Sequence, residues 1–355
     1  MGANGEFDSG VSPARHGALT ALSAALLFGV STPLVQRFGA GIGSFTTAGL
    51  LYAGAAISGA LLQQPPGREA HVRRSDVLRL VAVAAFGAVL GPVALVWGLK
   101  HTTATSASLM LTLEAVFTAM LARLWYREMM GQRVFTGMLL LTLGAMLLIL
   151  DRAALGRGQL AGILAVTAAT GAWAMDNTLS RALAARDPSQ VVLIKSALGA
   201  AATMILAACF TEHLPALLPA LGLVCVGAMG YGLSLRLYLL AQRSFGAART
   251  GSVFAFAPFA GAAFALVLGD RSGSVWMIAG AALMISGILL HLTEYHSHTH
   301  EHEDMEHEHA HTHDDGHHTH THDPMPAGPH NHRHRHLPLR HSHPHVPDEH
   351  HRHGH

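Results

Sequence analysis

Four residues of one apolar stretch, Trp173, Asp176, Asn177 and Ser180, stand at i, i+3, i+4 and i+7. On a helix they share one face. A carboxylate and an amide on one stripe can hold a cation or a proton. Lys195 follows Pro188 by seven residues, about 10 Å along a helix, which sets its ammonium at a depth comparable with Asp176. Arg236 lies a few residues from the end of another apolar run. Two roles fit these charges. They line a solute path, with Asp176 binding a cation or proton that Lys195 releases. Alternatively, Asp176 and Lys195 join two helices while Arg236 reaches the lipid headgroups by its long stem. Glu114 sits near the middle of a further apolar run, where a short side chain reaches neither interface. It either carries a proton along a path or bonds across a helix interface.

A second chemistry occupies the C-terminal end. Of 28 histidines, 23 lie between His296 and His355, mostly spaced His-x-His. They are His296, His298, His300, His302, His307, His309, His311 and His313, then His317, His318, His320 and His322, then His330, His332, His334 and His336, and finally His341, His343, His345, His350, His351, His353 and His355. Alternate side chains of an extended chain share a face about 6.6–6.8 Å apart, so neighbouring imidazoles can converge on one ion. Imidazole suits Zn²⁺, Ni²⁺, Co²⁺ and Cu²⁺, and Glu301, Glu303, Glu306 and Glu308 can complete a shell. No fixed four-ligand spacing stands out, so the tail reads as a multi-site, fast-exchanging divalent-metal reservoir. The same imidazoles also form a pH-responsive polyelectrolyte, since protons compete with metals for their nitrogens. With almost no apolar residues, the tail is expected to be disordered when empty.

These groups need a scaffold. The chain has 355 residues, 50% hydrophobic and only 13% charged, about half the charge of a soluble domain. The first 295 residues hold just 19 Lys plus Arg and 12 Asp plus Glu. Such a body reads as an integral membrane protein without a cofactor of its own. Cys209 and Cys225 cannot make a disulfide framework, and a net charge of +1 gives no reason for nucleic-acid binding. Met1–His16 lacks the pattern of a cleaved signal peptide.

Ten apolar segments approach spanning length: Gly17–Val35, Gly41–Leu62, Val77–Leu99, Thr103–Leu124, Val134–Leu150, Leu160–Leu183, Val191–Phe210, Leu214–Ala241, Ala247–Leu268 and Val275–Leu292. Pro33, the pair Gly91-Pro92 and Pro258 are the expected helix breaks, where freed carbonyls face a cavity or simply kink the packing. With the N-terminus inside, twelve Lys or Arg fall at cytoplasmic span ends and five at the outer ends. That orients the chain in the inner (plasma) membrane with both termini cytoplasmic.

The two halves resemble each other. Leu113-Glu-Ala-Val-Phe, Glu128, Gly137 and Gly144 match Phe256-Ala-Pro-Phe-Ala, Asp270, Gly280 and Gly287 at offsets of 142 to 143 residues. Five spans per half invert the second half, an inverted-topology repeat. The expected organisation is therefore an N-terminal segment (1–16), a first five-helix repeat (17–150), a linker (151–159), a second repeat (160–293) and the tail (294–355).

The chain resembles the EamA group of the drug/metabolite transporter superfamily. The resemblance rests on Leu113-Glu114-Ala115-Val116-Phe117 with Glu128 after it, on Gly246-Ala-Ala-Arg-Thr with Ala257-Pro258-Phe259, and on Trp173-Ala-Met-Asp176-Asn177-Thr-Leu-Ser-Arg181. Ala115 and Asp270 stand where relatives more often carry proline and glutamate. The resemblance implies a ten-helix secondary transporter, driven by ion gradients or exchange, and no particular substrate.

The leading expectation is thus an exporter of a small solute whose tail gathers or senses divalent metal, in its economical form a metal-efflux permease. The spans hold no histidine away from their ends, so the alternative cargo is an organic metabolite or metal chelate, with the tail as regulator. A different class is a membrane-anchored metal store or sensor. No HExxH, GxxxxGK[ST] or Ser/His pairing supports an enzyme. The expected partners are the lipid bilayer, the solute or metal ion, and a second copy of the chain as a homodimer.

Overall fold

The computed structural model describes residues 13–65, 69–126, 131–183, 186–245 and 247–292, with 297–301, 305–311, 330–336 and 340–344 of the tail. Apolar runs become helices because a helix satisfies every backbone polar group internally, which hydrocarbon demands. α1 (Pro13–Phe38) and α2 (Ser44–Leu61) are followed by α3 (Val77–Ala84), a π-helical turn (Ala85–Leu90) and α4 (Gly91–Leu99) in one continuous rod. α5 (Ala104–Met110) and α6 (Leu113–Tyr126) meet at a turn over Leu111 and Thr112, and α7 (Gln132–Ala154) and α8 (Arg157–Ser180) follow. Next come α9 (Pro188–Cys209), then α10 (Leu217–Val226), a second π-helical turn (Gly227–Leu233) and α11 (Ser234–Phe245). α12 (Ala247–Phe254), α13 (Ala257–Val267) and α14 (Val275–Leu292) complete the helical body.

The ends follow local chemistry. The Asp187 carboxylate accepts the Ser189 N–H at 2.8 Å, with Pro188 opening α9. Pro258 lies in the first turn of α13, so its missing N–H leaves no bond unmade. Pro33 behaves otherwise: expected to break its helix, it lies inside an uninterrupted α1. Its ring forfeits one intrahelical bond, to the Gly29 carbonyl, while α11 and α13 pack along α1 and hold it.

Among the described residues, eight helical stretches are long and apolar enough to cross a bilayer, and Ala257–Val267 and Val275–Leu290 are shorter apolar helices. Leu61, Leu78, Leu217, Leu218, Val267 and Val275 stand largely exposed on the outer surface. A soluble protein rarely tolerates such a surface. The small and polar residues Ser31, Thr32, Ser106, Ser108 and Thr170 are buried instead. The body is an all-α, multi-pass membrane protein. Small residues set its close contacts: a Cβ on Gly144 of α7 would lie 2.6 Å from the Gly280 carbonyl of α14, and one on Gly287 2.7 Å from that of Gly137.

The tail departs from the expectation of disorder in four segments. β1 (Ser297–Glu301) pairs antiparallel with β4 (Arg340–Pro344), and β2 (Met305–His311) with β3 (His330–His336). The register places His opposite His, for example His307↔His334 and His309↔His332, and Glu opposite Arg at Glu306↔Arg335, Glu308↔Arg333 and Glu301↔Arg340. Alternation of histidine with a second residue type has the two-residue period of a strand.

Candidate functional site

The site is built on the first π-helical turn. There the Gly91 N–H bonds back to the Phe86 carbonyl, five residues away. The next residue, Pro92, has no N–H, so the Gly87 carbonyl is left without a helical partner. Two side chains from other helices take it: Trp173 Nε1–H of α8 donates at 3.0 Å, and the Tyr52 hydroxyl of α2 donates as well. Gly91 touches the Trp173 indole, where a Cβ would come within 2.7 Å of Nε1.

One helical turn beyond Trp173, buried Asp176 faces Gly87, and any Cβ on Gly87 would overlap its carboxylate. Only glycine leaves room for this approach. The Lys195 ammonium of α9 donates to Asp176 Oδ2, and Ser180 Oγ donates to Oδ1 at 3.2 Å. Both members of the ion pair are buried.

Beside it, Glu114 lies in the first turn of α6, immediately after the Leu111–Thr112 turn. Asn177 Nδ2 donates to its Oε1 at 2.6 Å, and the charges of Asp176 and Lys195 lie within electrostatic reach. Trp173, Asp176, Asn177, Ser180, Lys195 and Glu114 therefore meet in one network. Arg236 does not join it: its Nε donates to Ser189 Oγ at 2.9 Å, and Ser189 Oγ donates to the Leu62 carbonyl at 2.8 Å, tying α11 to the end of α2.

The structure adds a cluster of rings to these residues. Phe28 of α1 sits edge-on to Trp173 at 6.0 Å and to Tyr231 at 5.9 Å, and 5.4 Å from Phe254. Tyr238 meets Phe254 at 4.9 Å and Tyr52 meets Tyr231 at 5.5 Å. These rings come from α1, α2, α8, α11, α12 and the second π-helical turn. Tyr52 and Tyr238 lie within electrostatic reach of Glu114.

A separate polar region occupies the opposite helix ends. A cleft of about 490 Å³ is lined there by Arg37, Lys100, His101 and Asp270, among others. Asp270 accepts from Thr105 Oγ1 at 2.7 Å and from the Thr105 N–H at 3.1 Å, closing the start of α5. Burial alone would raise its pKa, but the hydrogen bonds from Ser272 and Thr105 outweigh it and hold the carboxyl below its usual range. Burial pushes the Lys100 ammonium down, against the attraction of Glu212.

Among the described residues, no group of three or more His, Cys, Asp or Glu is placed to hold a metal ion. In the tail, His298, His300, His307, His309, His311, His330, His332, His334, His336, His341 and His343 fall on the paired strands. His296, His302, His313, His317, His318, His320, His322, His345, His350, His351, His353 and His355 lie outside the described residues, as does Glu128.

Residues 15–150 match the profile of the EamA-like transporter family. An uncharacterized transporter of Methanothermobacter thermautotrophicus is 28% identical over 295 residues, covering 77% of this chain and 85% of that protein. A solved crystal structure, 17% identical, superposes with a TM-score of 0.57 over 78% of this chain and 95% of that one, which shows a shared fold.

Proposed function

We propose that this chain, similar over residues 15–150 to the EamA-like transporter family and along most of its length to an uncharacterized transporter, is a membrane transporter rather than an enzyme, and a proton-coupled secondary exporter of a small solute. The observation that carries this reading is Glu114, a carboxyl in mid-span bonded by an amide and set beside a buried Asp176–Lys195 pair. Intramembrane ionisable groups are costly and mark solute or proton paths. Interrupted helices support it too: α6 begins after Thr112 and α13 after Phe256, so two helix N-termini open within apolar stretches. Such discontinuous helices build midplane sites in secondary transporters, at the junction of inverted repeats. In this reading the two short apolar helices also span, giving ten spans in two inverted halves, and the family match to residues 15–150 corresponds to one half.

The tail is read as a divalent-metal-binding appendage on the cytoplasmic side of the plasma membrane. Its support is the His-opposite-His register of both strand pairs. In this reading the metal acts on the carrier as regulator rather than as its cargo, since the spans hold no histidine away from their ends.

The test compares strains with and without the full chain for accumulation of amines, amino acids, Ni²⁺, Co²⁺, Zn²⁺ and Cu²⁺. One solute class is expected to accumulate less when the chain is present. Glu114→Gln, inserted at the wild-type level, should abolish that difference. Identical profiles for every solute would overturn the exporter reading.

A further inference from the structure

We infer that the polar cleft at the far helix ends is a binding site for a small hydroxylated organic anion, its charge held between Arg37 and Lys100 and its hydroxyls by Thr102 and Gln159. Glu114 takes no part in lining it, so the site stands whether or not that carboxyl carries a proton.

The walls are fixed before any ligand arrives. The cleft is bounded by the end of α1, the turn between α4 and α5, the start of α8 and the end of α13. Gln36 of α1 pins the turn: its Nε2 donates to the Leu99 carbonyl at 2.7 Å and to the Thr102 carbonyl at 2.9 Å. Within the turn, His101 stacks on Trp97 with ring centroids 4.1 Å apart, and its Nδ1–H donates to the Trp97 carbonyl at 2.8 Å. α8 touches the same turn through Gly162, where a Cβ would lie 2.8 Å from the His101 carbonyl carbon. Lys100 and Thr102 therefore ride on a segment that loses little freedom on binding.

The charge balance selects the sign of the ligand. Arg37 and Lys100 line the cleft with exposed side chains, and among the described residues neither forms an ion pair or a side-chain hydrogen bond. Glu212 attracts Lys100, but its carboxylate is taken by the N–H groups that open α2, Thr46 at 2.7 Å and Phe45 at 3.3 Å. The one carboxylate in the lining is committed as well: Asp270 accepts from the N–H and the hydroxyl of both Thr105 and Ser272. Two cations without a counter-ion and one saturated carboxylate favour an anion over a cation. An arginine fork grips two oxygens of an oxyanion at once, and a lysine adds a point charge.

A third observation does not involve charge. Thr102 is only 5% exposed, and its hydroxyl has no partner among the described residues. Gln159 Oε1 of α8, in the same lining, is buried and equally unpartnered. Native proteins rarely leave such atoms unsatisfied. An amide oxygen only accepts, so its complement is an O–H or N–H of the ligand, whereas the threonine hydroxyl can give or take. A simple anion would answer the cations and leave both atoms unpaired; a neutral polyol would do the reverse. An ammonium would share the cleft with two like charges. An anion that carries hydroxyls answers both halves of the site.

The experiment titrates D-glycerate, propionate and glycerol onto the purified full-length protein in phosphatidylcholine nanodiscs, read by saturation-transfer NMR. Glycerate should bind, propionate about threefold to tenfold more weakly, and glycerol not measurably. Arg37→Gln and Lys100→Gln should each weaken glycerate about tenfold, while Lys100→Arg keeps the charge and most of the affinity. Thr102→Val and Gln159→Leu should each weaken glycerate about threefold and leave propionate unchanged, a pattern that diffuse surface charge does not produce. Each variant must keep the wild-type size-exclusion profile, and Lys100→Arg separates a lost charge from a displaced turn. Glycerol binding as well as glycerate, no glycerate binding at millimolar concentration, full binding by both glutamine variants, or equal weakening of glycerate and propionate by Thr102→Val would overturn the proposal. Binding is read without flux, so its failure leaves the exporter reading in place.

Discussion

Removing either member of the Asp176–Lys195 pair strands a charge where no water can take it up. Breaking a buried pair in this way costs about 3–5 kcal/mol, whereas replacing both members can be nearly neutral. Asp176→Asn and Lys195→Met should therefore each destabilise the protein strongly, and the double variant should recover most of the loss in an unfolding titration in mixed micelles. If the double variant recovers stability but no flux, the pair belongs to the transport machinery; if both return, it only fastens α8 to α9. At this scale the sequence was legible wherever chemistry repeats at helical spacing: Trp173, Asp176 and Asn177 share a face, and all three engage the site. The aromatic walls were not legible. Phe28 and Tyr52 lie far in the chain from Tyr231, Tyr238 and Phe254, and each alone reads as filling for an apolar helix. Only the fold brings them together.

Elements show the same division. Gly91-Pro92 announced an irregular helix, because a proline withholds an N–H wherever it stands. The second π-helical turn, Gly227–Leu233, contains no proline and carried no comparable signal. Conversely, the glycines that aligned one half of the sequence with the other turned out to touch: Gly137 and Gly144 of α7 meet Gly287 and Gly280 of α14. Backbone contact of this kind leaves no room for a side chain, so Gly144→Leu must push the two helices apart. Overpacking costs about 1–3 kcal/mol, and it should appear as a lower midpoint in thermal unfolding followed by size-exclusion chromatography. An unchanged midpoint would mean that α7 and α14 do not rely on this contact. Asp270 offers a milder case. Its carboxyl is held below the usual range, so its contribution at the start of α5 is present above the ordinary aspartate pKa and fades as pH falls through the lowered one. Asp270→Asn should therefore lower stability near neutrality and bring little further change under strong acid.

Across the whole molecule, two chemistries sit on one chain with little shared between them. The body sets Asp176, Lys195 and Glu114 in a small polar network beside the Trp173 ring, whereas the tail sets His opposite His and Glu opposite Arg in the register of its paired strands. Five of the 28 histidines lie outside the tail, so removing residues 295–355 takes away almost all the imidazole and none of the site around Glu114. The full chain should bind several Ni²⁺ ions in a calorimetric titration and release them as pH falls through about 6.5, where imidazoles take up protons. The truncated chain should bind almost none, yet retain Glu114-dependent flux in proteoliposomes. Added Ni²⁺ should alter that flux in the full chain only, since a regulator needs both parts. Flux that vanishes on truncation at any metal concentration would instead make the tail part of the carrier, and flux indifferent to Ni²⁺ in both forms would reduce it to a store.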